Sequence, residues 1–170
     1  MIAGETIDTG AVTRRLRTLA ARMPLRVLVV DDDELERVLI CDCLRSHGIE
    51  VSVASNGQEA LEALERDPVP LVLTDWQMPV MDGMELTEKL RARGVVDTCI
   101  IMLSSHDGGS EHERGYLAGV DDYLTKRRPE SELLARLYAG FNTFTLRREL
   151  QEARAQLAII AARVDDPTPA

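Results

Sequence analysis

Asp75 stands at the end of an apolar run, Leu71-Val72-Leu73-Thr74, and a tight loop follows it, Trp76-Gln77-Met78-Pro79-Val80-Met81-Asp82-Gly83. The run reads as a buried strand that delivers one carboxylate at its carboxyl end, the edge where chemistry collects in an open parallel sheet. A second delivery lies upstream, where Leu28-Val29-Val30 leads directly into Asp31-Asp32-Asp33. Two strands that both finish in carboxylates imply a shared acidic pocket, and such a pocket asks for a divalent cation. Some of these residues have plainer uses. Asp33 suits the cap of the helix that follows it, and Asp82 suits a turn or cap. Nothing comparable explains a carboxylate fixed between a buried strand and Met78-Pro79.

The elements that must hold Asp75 in place alternate along the chain. Residues 25–30, 50–54, 71–74, 99–103 and 122–125 carry strand patterns, and helical patterns occupy 34–47, the stretch around Ala60, Leu61 and Leu64, and 84–93. Gly48 terminates the first of these helices, and Ser55-Asn56-Gly57 turns into the second. The segment after Ser104-Ser105 is polar and rich in glycine, with Gly108, Gly109, Gly115 and Gly119, and is the weakest helix in the pattern. Units of this length joined by helical crossovers predict an α/β fold: a doubly wound, five-stranded parallel sheet, flavodoxin-like, covered by helices on both faces. A last helix starts at Pro129 and runs to about Val164. Residues 1–24 form an N-terminal extension with an amphipathic pattern at Val12, Leu16, Leu19 and Met23, stopped by Pro24. It reads as a short helix docked on a partner surface, with a frayed terminus as the alternative.

Composition narrows the functions. Of 170 residues, 45 % are hydrophobic and 29 % charged, as in a soluble globular protein. The net charge of −9 argues against a nucleic-acid surface. The basic runs Arg14-Arg15, Lys126-Arg127-Arg128 and Arg147-Arg148 are short and read as solvated faces. No apolar stretch approaches a membrane span, and no signal-peptide pattern opens the chain. The three cysteines lack pairing spacings, so a reducing compartment, the cytoplasm, is expected. Cys41 and Cys43, two apart on one helix, face different ways and cannot share a metal.

The acidic group after the first strand, the Asp-x-x-Met-Pro-x-Met-Asp-Gly motif from Asp75 to Gly83, Ser104 ending the fourth strand and Lys126 after the fifth together resemble the receiver domain of bacterial two-component response regulators. The resemblance covers residues 25–142. It implies that Asp75 accepts a phosphoryl group from a histidine kinase or phosphotransfer protein. It also implies Mg²⁺ bound by Asp32, Asp75 and the backbone carbonyl of Gln77, with Asp31 acting through water. Lys126 and Ser104 would then meet the phosphoryl oxygens. Tyr123 matches the aromatic position that reorients with the fourth-strand hydroxyl, and Gln77 and His106 match positions that tune dephosphorylation. One residue departs from the family pattern: Arg127 follows the lysine where proline is usual. A cis peptide without proline costs about 2.5–4 kcal/mol, so a trans bond and an adjusted loop are expected.

Beyond the receiver, Leu146, Leu150, Ala153, Leu157, Ile160 and Val164 are spaced four and three apart, a heptad seam on a helical extension, 143–164. It is read as pairing two chains into a homodimer, with folding back on the chain's own domain or on residues 12–23 as the alternative. Residues 165–170 read as a disordered tail. The expected function is a phosphorylation-activated receiver, not an enzyme, that signals through contacts with an unidentified downstream protein. Two alternatives stand beside it: the input half of a larger regulator such as a cyclic-dinucleotide synthase, and a phosphatase with Asp75 as nucleophile.

Overall fold

A computed structural model describes residues 8–105 and 110–165. Its elements run α1 (Thr9–Ala20), β1 (Arg26–Val30), α2 (Glu34–Ser46), β2 (Glu50–Ala54), α3 (Gly57–Arg66), β3 (Leu71–Asp75), α4 (Gly83–Ala92), β4 (Cys99–Ser104), α5 (Ser110–Ala118), β5 (Asp122–Thr125) and α6 (Glu130–Asp165). The strands form one parallel sheet in the order β2-β1-β3-β4-β5. The predicted strands all occur, two of them with their carboxyl ends one residue later than the apolar runs suggest: Asp75 and Ser104 belong to the sheet itself. The polar, glycine-bearing segment does form a helix, α5.

Alternation along the strands explains the layers. Val27, Val29, Leu71, Leu73, Ile101 and Leu103 face one way and bury against α2, α6 and α1; Leu28, Val30, Val72 and Ile100 face the other and bury against α3 and α4. Because β3 and β4 are central, every one of their residues is buried, which is why they read as unbroken apolar runs. Edge strand β2 is largely exposed and reads only weakly. Side-chain caps start the helices where polar residues permit: Asp8 opens α1, Asp33 opens α2, Asn56 opens α3 and Asp82 opens α4. Asp33 and Asp82 are therefore used as caps.

The extension before β1 needs correcting. Its helix begins at Thr9, earlier than the apolar pattern shows, and it docks on the chain's own α6. Leu16 and Leu19 are buried in the same core as Leu137 and Phe141, and Arg15 stacks over Tyr138 at 5.9 Å. Helix α6 divides into two parts. Its first turns fill the sheet face with Leu134, Leu137 and Phe141. The next turns are tied back by Arg147, which bonds Asp121 and the Val96 carbonyl, and by Gln151 with Asp97 at 2.6 Å. Arg147 is thus bonded inward to Asp121, not simply solvated. Leu146, Leu150, Leu157 and Ile160 remain more than half exposed. Of the tail read as disordered, 165–170, Asp165 still belongs to α6, and residues 166–170 lie outside the described residues.

Candidate functional site: an acidic pocket at the strand ends

Parallel pairing brings the carboxyl ends of β1, β3, β4 and β5 to one edge, with Asp75 paired to Leu103 and Ser104 to Thr125. Asp31, Asp32 and Asp75 meet there with carboxylate oxygens within 4.8 Å of one another. Asp31 and Asp75 are buried, and Asp32 is exposed at the mouth. The Lys126 ammonium stands between the two buried groups, 2.8 Å from Asp75 Oδ2 and 2.9 Å from Asp31 Oδ2. Backbone donors orient both carboxylates: the Trp76 N–H donates to Asp75 Oδ1 at 2.8 Å, and the Asp33 N–H to Asp31 Oδ1 at 2.9 Å. Burial pushes the Asp75 carboxyl above its ordinary value, with Lys126 opposing the shift and Asp31 reinforcing it. For Lys126, burial pulls the ammonium down, but Asp75 and Asp31 prevail and hold it above its ordinary value. Three carboxylates facing one ammonium leave about two negative charges uncompensated in a partly buried pocket. A hard divalent cation fits that balance and that all-oxygen donor set.

The loop after Asp75 is packed under tension. The Val80 backbone lies at φ 71, unfavourable for a β-branched residue, and the Met81 N–H donates back to the Pro79 carbonyl at 2.8 Å. A second bond, Gly83 N–H to the Trp76 carbonyl, closes the loop at 3.0 Å. A Cβ on Gly83 would come within 2.1 Å of the Asp75 carbonyl oxygen, so only glycine lets α4 start this close behind the carboxylate. Gln77 is exposed on the same loop. His106 lies outside the described residues.

Ser104 is buried at the end of β4, beside Lys126, whose N–H donates to the Ser104 carbonyl at 2.9 Å. Tyr123 points inward: its ring lies 5.0 Å from Tyr116, edge-on, and 6.2 Å from Trp76. Burial, with Tyr116 contributing, raises its hydroxyl to about 12. A Cβ on Gly115 would lie 1.4 Å from the Tyr123 oxygen, so the hydroxyl occupies the space that any other residue at 115 would take. We expect Gly115→Ala to force the ring outward, at a cost of roughly 1–3 kcal/mol for overpacking. Tyrosine difference absorbance checks this: the group near 12 should move down toward the ordinary 10.0. An unchanged titration would mean that α5 shifts instead.

Arg128, in a run read as a solvated face, is another correction. Its side chain is 5 % exposed, and it donates to the carbonyls of Thr125 and Lys126 at 3.3 and 3.0 Å while pairing with Glu36 at 3.5 Å. The Lys126–Arg127 peptide is trans. Arg128 laces the loop from inside, its Nη1 bonding the two consecutive carbonyls that leave β5. The only hint in the sequence is an arginine two positions past the key lysine.

A family model described as the response regulator receiver domain matches residues 27–138. The chain belongs to this receiver family. Its relatives include Response regulator MprA of Mycolicibacterium vanbaalenii, 42 % identical over 117 residues, covering 69 % of this chain and 50 % of that protein. The MprA of Mycobacterium bovis is 38 % identical over 146 residues, covering 86 % and 60 %. This receiver therefore spans about half the length of the curated relatives it matches. Among solved structures, the Francisella response regulator 1452 receiver domain has a TM-score of 0.65 and 34 % identity, covering 69 % of this chain and 96 % of that one. The BeF3-activated receiver domain of Klebsiella pneumoniae RstA gives 0.64 and 34 %, covering 68 % and 97 %. The receiver domain of Ssk1, co-crystallised with the Saccharomyces cerevisiae phosphotransfer protein Ypd1, belongs to a structure that matches with 0.63 and 26 %, covering 67 % and 86 %. No helix among the described residues is long and apolar enough to cross a membrane.

Proposed function

We propose that this receiver is a phosphorylation-activated switch: Asp75 takes a phosphoryl group from the phosphohistidine of a histidine kinase or phosphotransfer protein. The observation that carries this reading is the Asp75 carboxylate, buried at a strand end and held by the Trp76 N–H and Lys126. One Asp75 oxygen attacks phosphorus; the P–O bond forms as the P–N bond breaks, and the electron pair leaves on the imidazole nitrogen. A carboxylate is a weak nucleophile, so positioning and charge neutralisation supply the catalysis. Lys126, already against Asp75, is within reach of an incoming phosphoryl oxygen, and the Ser104 hydroxyl would donate to another. Asp31, Asp32, Asp75 and the Gln77 carbonyl would hold Mg²⁺, with Asp31 acting through water. Bound there, the ion neutralises charge on the phosphoryl oxygens.

Asp32→Ala should weaken Mg²⁺ binding at least about tenfold, a loss of ~1.4 kcal/mol. Trp76 is the sole tryptophan and adjoins Asp75, so its fluorescence reports the titration. Equal affinity in the variant would remove Asp32 from the ligand set.

Gln77 and His106, two positions beyond Asp75 and Ser104, would set how readily water reaches the acyl phosphate. Ser104 and Tyr123 would carry the switch to the α4–β5–α5 side, where Tyr123 packs with Trp76 and Met84. Output is then contact with a downstream protein in the cytoplasm, and with a second copy through α6. A second reading has one observation in its favour: the match to half of longer relatives suits the input module of a larger regulator, with α6 leading onward. Incubation with a small phosphodonor and Mg²⁺ tests the primary reading. A persistent acyl phosphate mapped to Asp75 supports a switch; rapid turnover of many phosphate esters would instead make it an aspartate-nucleophile phosphatase.

A further inference from the structure

Away from the acidic pocket, the C-terminal end of α2 meets the first residue of α6. Cys43, in the last turn of α2, and His47, the residue that caps it, are four apart, and Glu130 opens α6 opposite them. The thiol, a ring nitrogen and a carboxylate oxygen lie within 4.8 Å of one another. We propose that Cys43, His47 and Glu130 form a site for a borderline-soft divalent transition ion, Zn²⁺ by its donor set, which clips α2 to the start of α6.

The hydrogen bonding around His47 carries the argument. Its Nδ1 stands 3.0 Å from the Cys43 carbonyl oxygen, an atom that can only accept, so the proton sits on Nδ1. The Ser46 hydroxyl donates to the same carbonyl at 2.7 Å and leaves its own oxygen turned toward Nδ1 at 3.0 Å. In neutral imidazole this leaves Nε2 as a bare lone pair, and it faces Glu130 Oε1 at 3.4 Å. Two acceptors pointed at each other need a proton or a cation between them. A ring nitrogen fixed by a backbone carbonyl on its far side is the usual arrangement of a metal-binding histidine. The third ligand is the half-buried Cys43 thiol.

The donor set selects the ion. Sulfur, nitrogen and one carboxylate suit Zn²⁺ with water in the fourth position, whereas Mg²⁺ prefers oxygen throughout. The fourth position has room: Cys43 and Glu130 line a cleft of about 240 Å³ that continues past Arg128 to Lys126. Burial, then Glu130, raises the Cys43 thiol, while Arg128 lowers it. That shift keeps the thiol protonated, so an ion must displace the thiol proton to bind and its binding strengthens as pH rises. The clip would fix the α2–α6 junction next to the loop that carries Lys126, and through it the direction in which α6 leaves the domain.

Co²⁺ titration of the full chain in excess Mg²⁺ tests this, with the Mg²⁺ occupying the acidic pocket. The expected result is one Co²⁺ per chain with a thiolate-to-cobalt charge-transfer band, displaced by Zn²⁺. The band should vanish in Cys43→Ser and weaken at least tenfold in affinity in His47→Gln and Glu130→Gln, yet persist in Asp32→Ala, so the outcome does not depend on the phosphoryl-transfer reading. Zn²⁺ should also protect one of the three thiols from alkylation. Absence of the band in the wild type, meaning an ordinary His47–Glu130 hydrogen bond, overturns the proposal. So does a band that survives in a folded Cys43→Ser protein, with folding checked by circular dichroism.

Discussion

Asp75→Asn should accept no phosphoryl group from any donor while folding as the wild type does. The amide has the shape of the carboxylate and can keep the bond from the Trp76 N–H, but it is not a nucleophile toward phosphorus. Stability should move the other way from activity. Burial holds the Asp75 carboxyl above its ordinary value, so the folded state keeps that proton longer than the unfolded chain does. For such a group, stability is present below the unfolded value of 3.8 and is lost as pH rises through the raised folded value. The asparagine variant carries no such loss. Without Mg²⁺ at neutral pH its Tm should equal or exceed that of the wild type, and this relative gain should shrink as the pH falls toward 3.8. Lys126 loses one partner but keeps Asp31 at 2.9 Å, which limits the cost of the substitution. Thermal melts across pH, alongside phosphorylation assays, check both halves. A label mapped to this pocket in the variant would move the phosphoacceptor elsewhere.

The pocket was legible from sequence because each part of it is a local event. An apolar run that ends in a carboxylate says where Asp75 and Asp31 sit, and the parallel-sheet rule brings strand ends together without knowledge of any side-chain contact. Ser104 and Lys126 became specific only through the family resemblance, since a strand-end hydroxyl and a lysine are common taken singly. What escaped are contacts between residues far apart in the chain. Arg128 and Arg147 look like solvent charges in sequence, but an arginine buries its stem and carries its head to carbonyls or carboxylates that no pattern names. The first helix was readable as amphipathic, but the identity of the surface it covers depends on where α6 runs. Gly115 looked like a weak point in a weak helix; its reason is the Tyr123 hydroxyl, eight residues later and on another element.

The part of α6 that the domain leaves uncovered should hold two copies of the chain together, and Leu150→Glu with Leu157→Glu should separate them. Leu146, Leu150, Ala153, Leu157 and Ile160 form a continuous seam; its leucines and isoleucine are more than half exposed, and every described side chain from Glu149 through Ala162 is exposed. The register also favours a second copy of this chain over an unrelated partner. With Leu150 and Leu157 at one core position of the heptad and Leu146, Ala153 and Ile160 at the other, Glu149 and Arg154 flank the seam at the positions that meet across a parallel, in-register pair. An antiparallel pair would bring Arg154 toward the other chain's arginines. Arg147 is already bonded to Asp121 within its own chain, so the pairing rests on the half of the helix beyond it. Each leucine contributes about 1.5–3 kcal/mol when fully buried, and the substitutions set like charges against one another in both chains. Light scattering should show the wild type as a dimer, with or without beryllium fluoride and Mg²⁺, and the double variant as a monomer. That monomer should still bind Mg²⁺ and take phosphate at Asp75, because the acidic pocket lies at the other end of the sheet's connections and shares no residue with the seam. A wild type that stays monomeric at high concentration in both states would leave the seam to a different partner. A variant that loses Mg²⁺ binding along with dimerisation would mean that α6 supports the pocket directly.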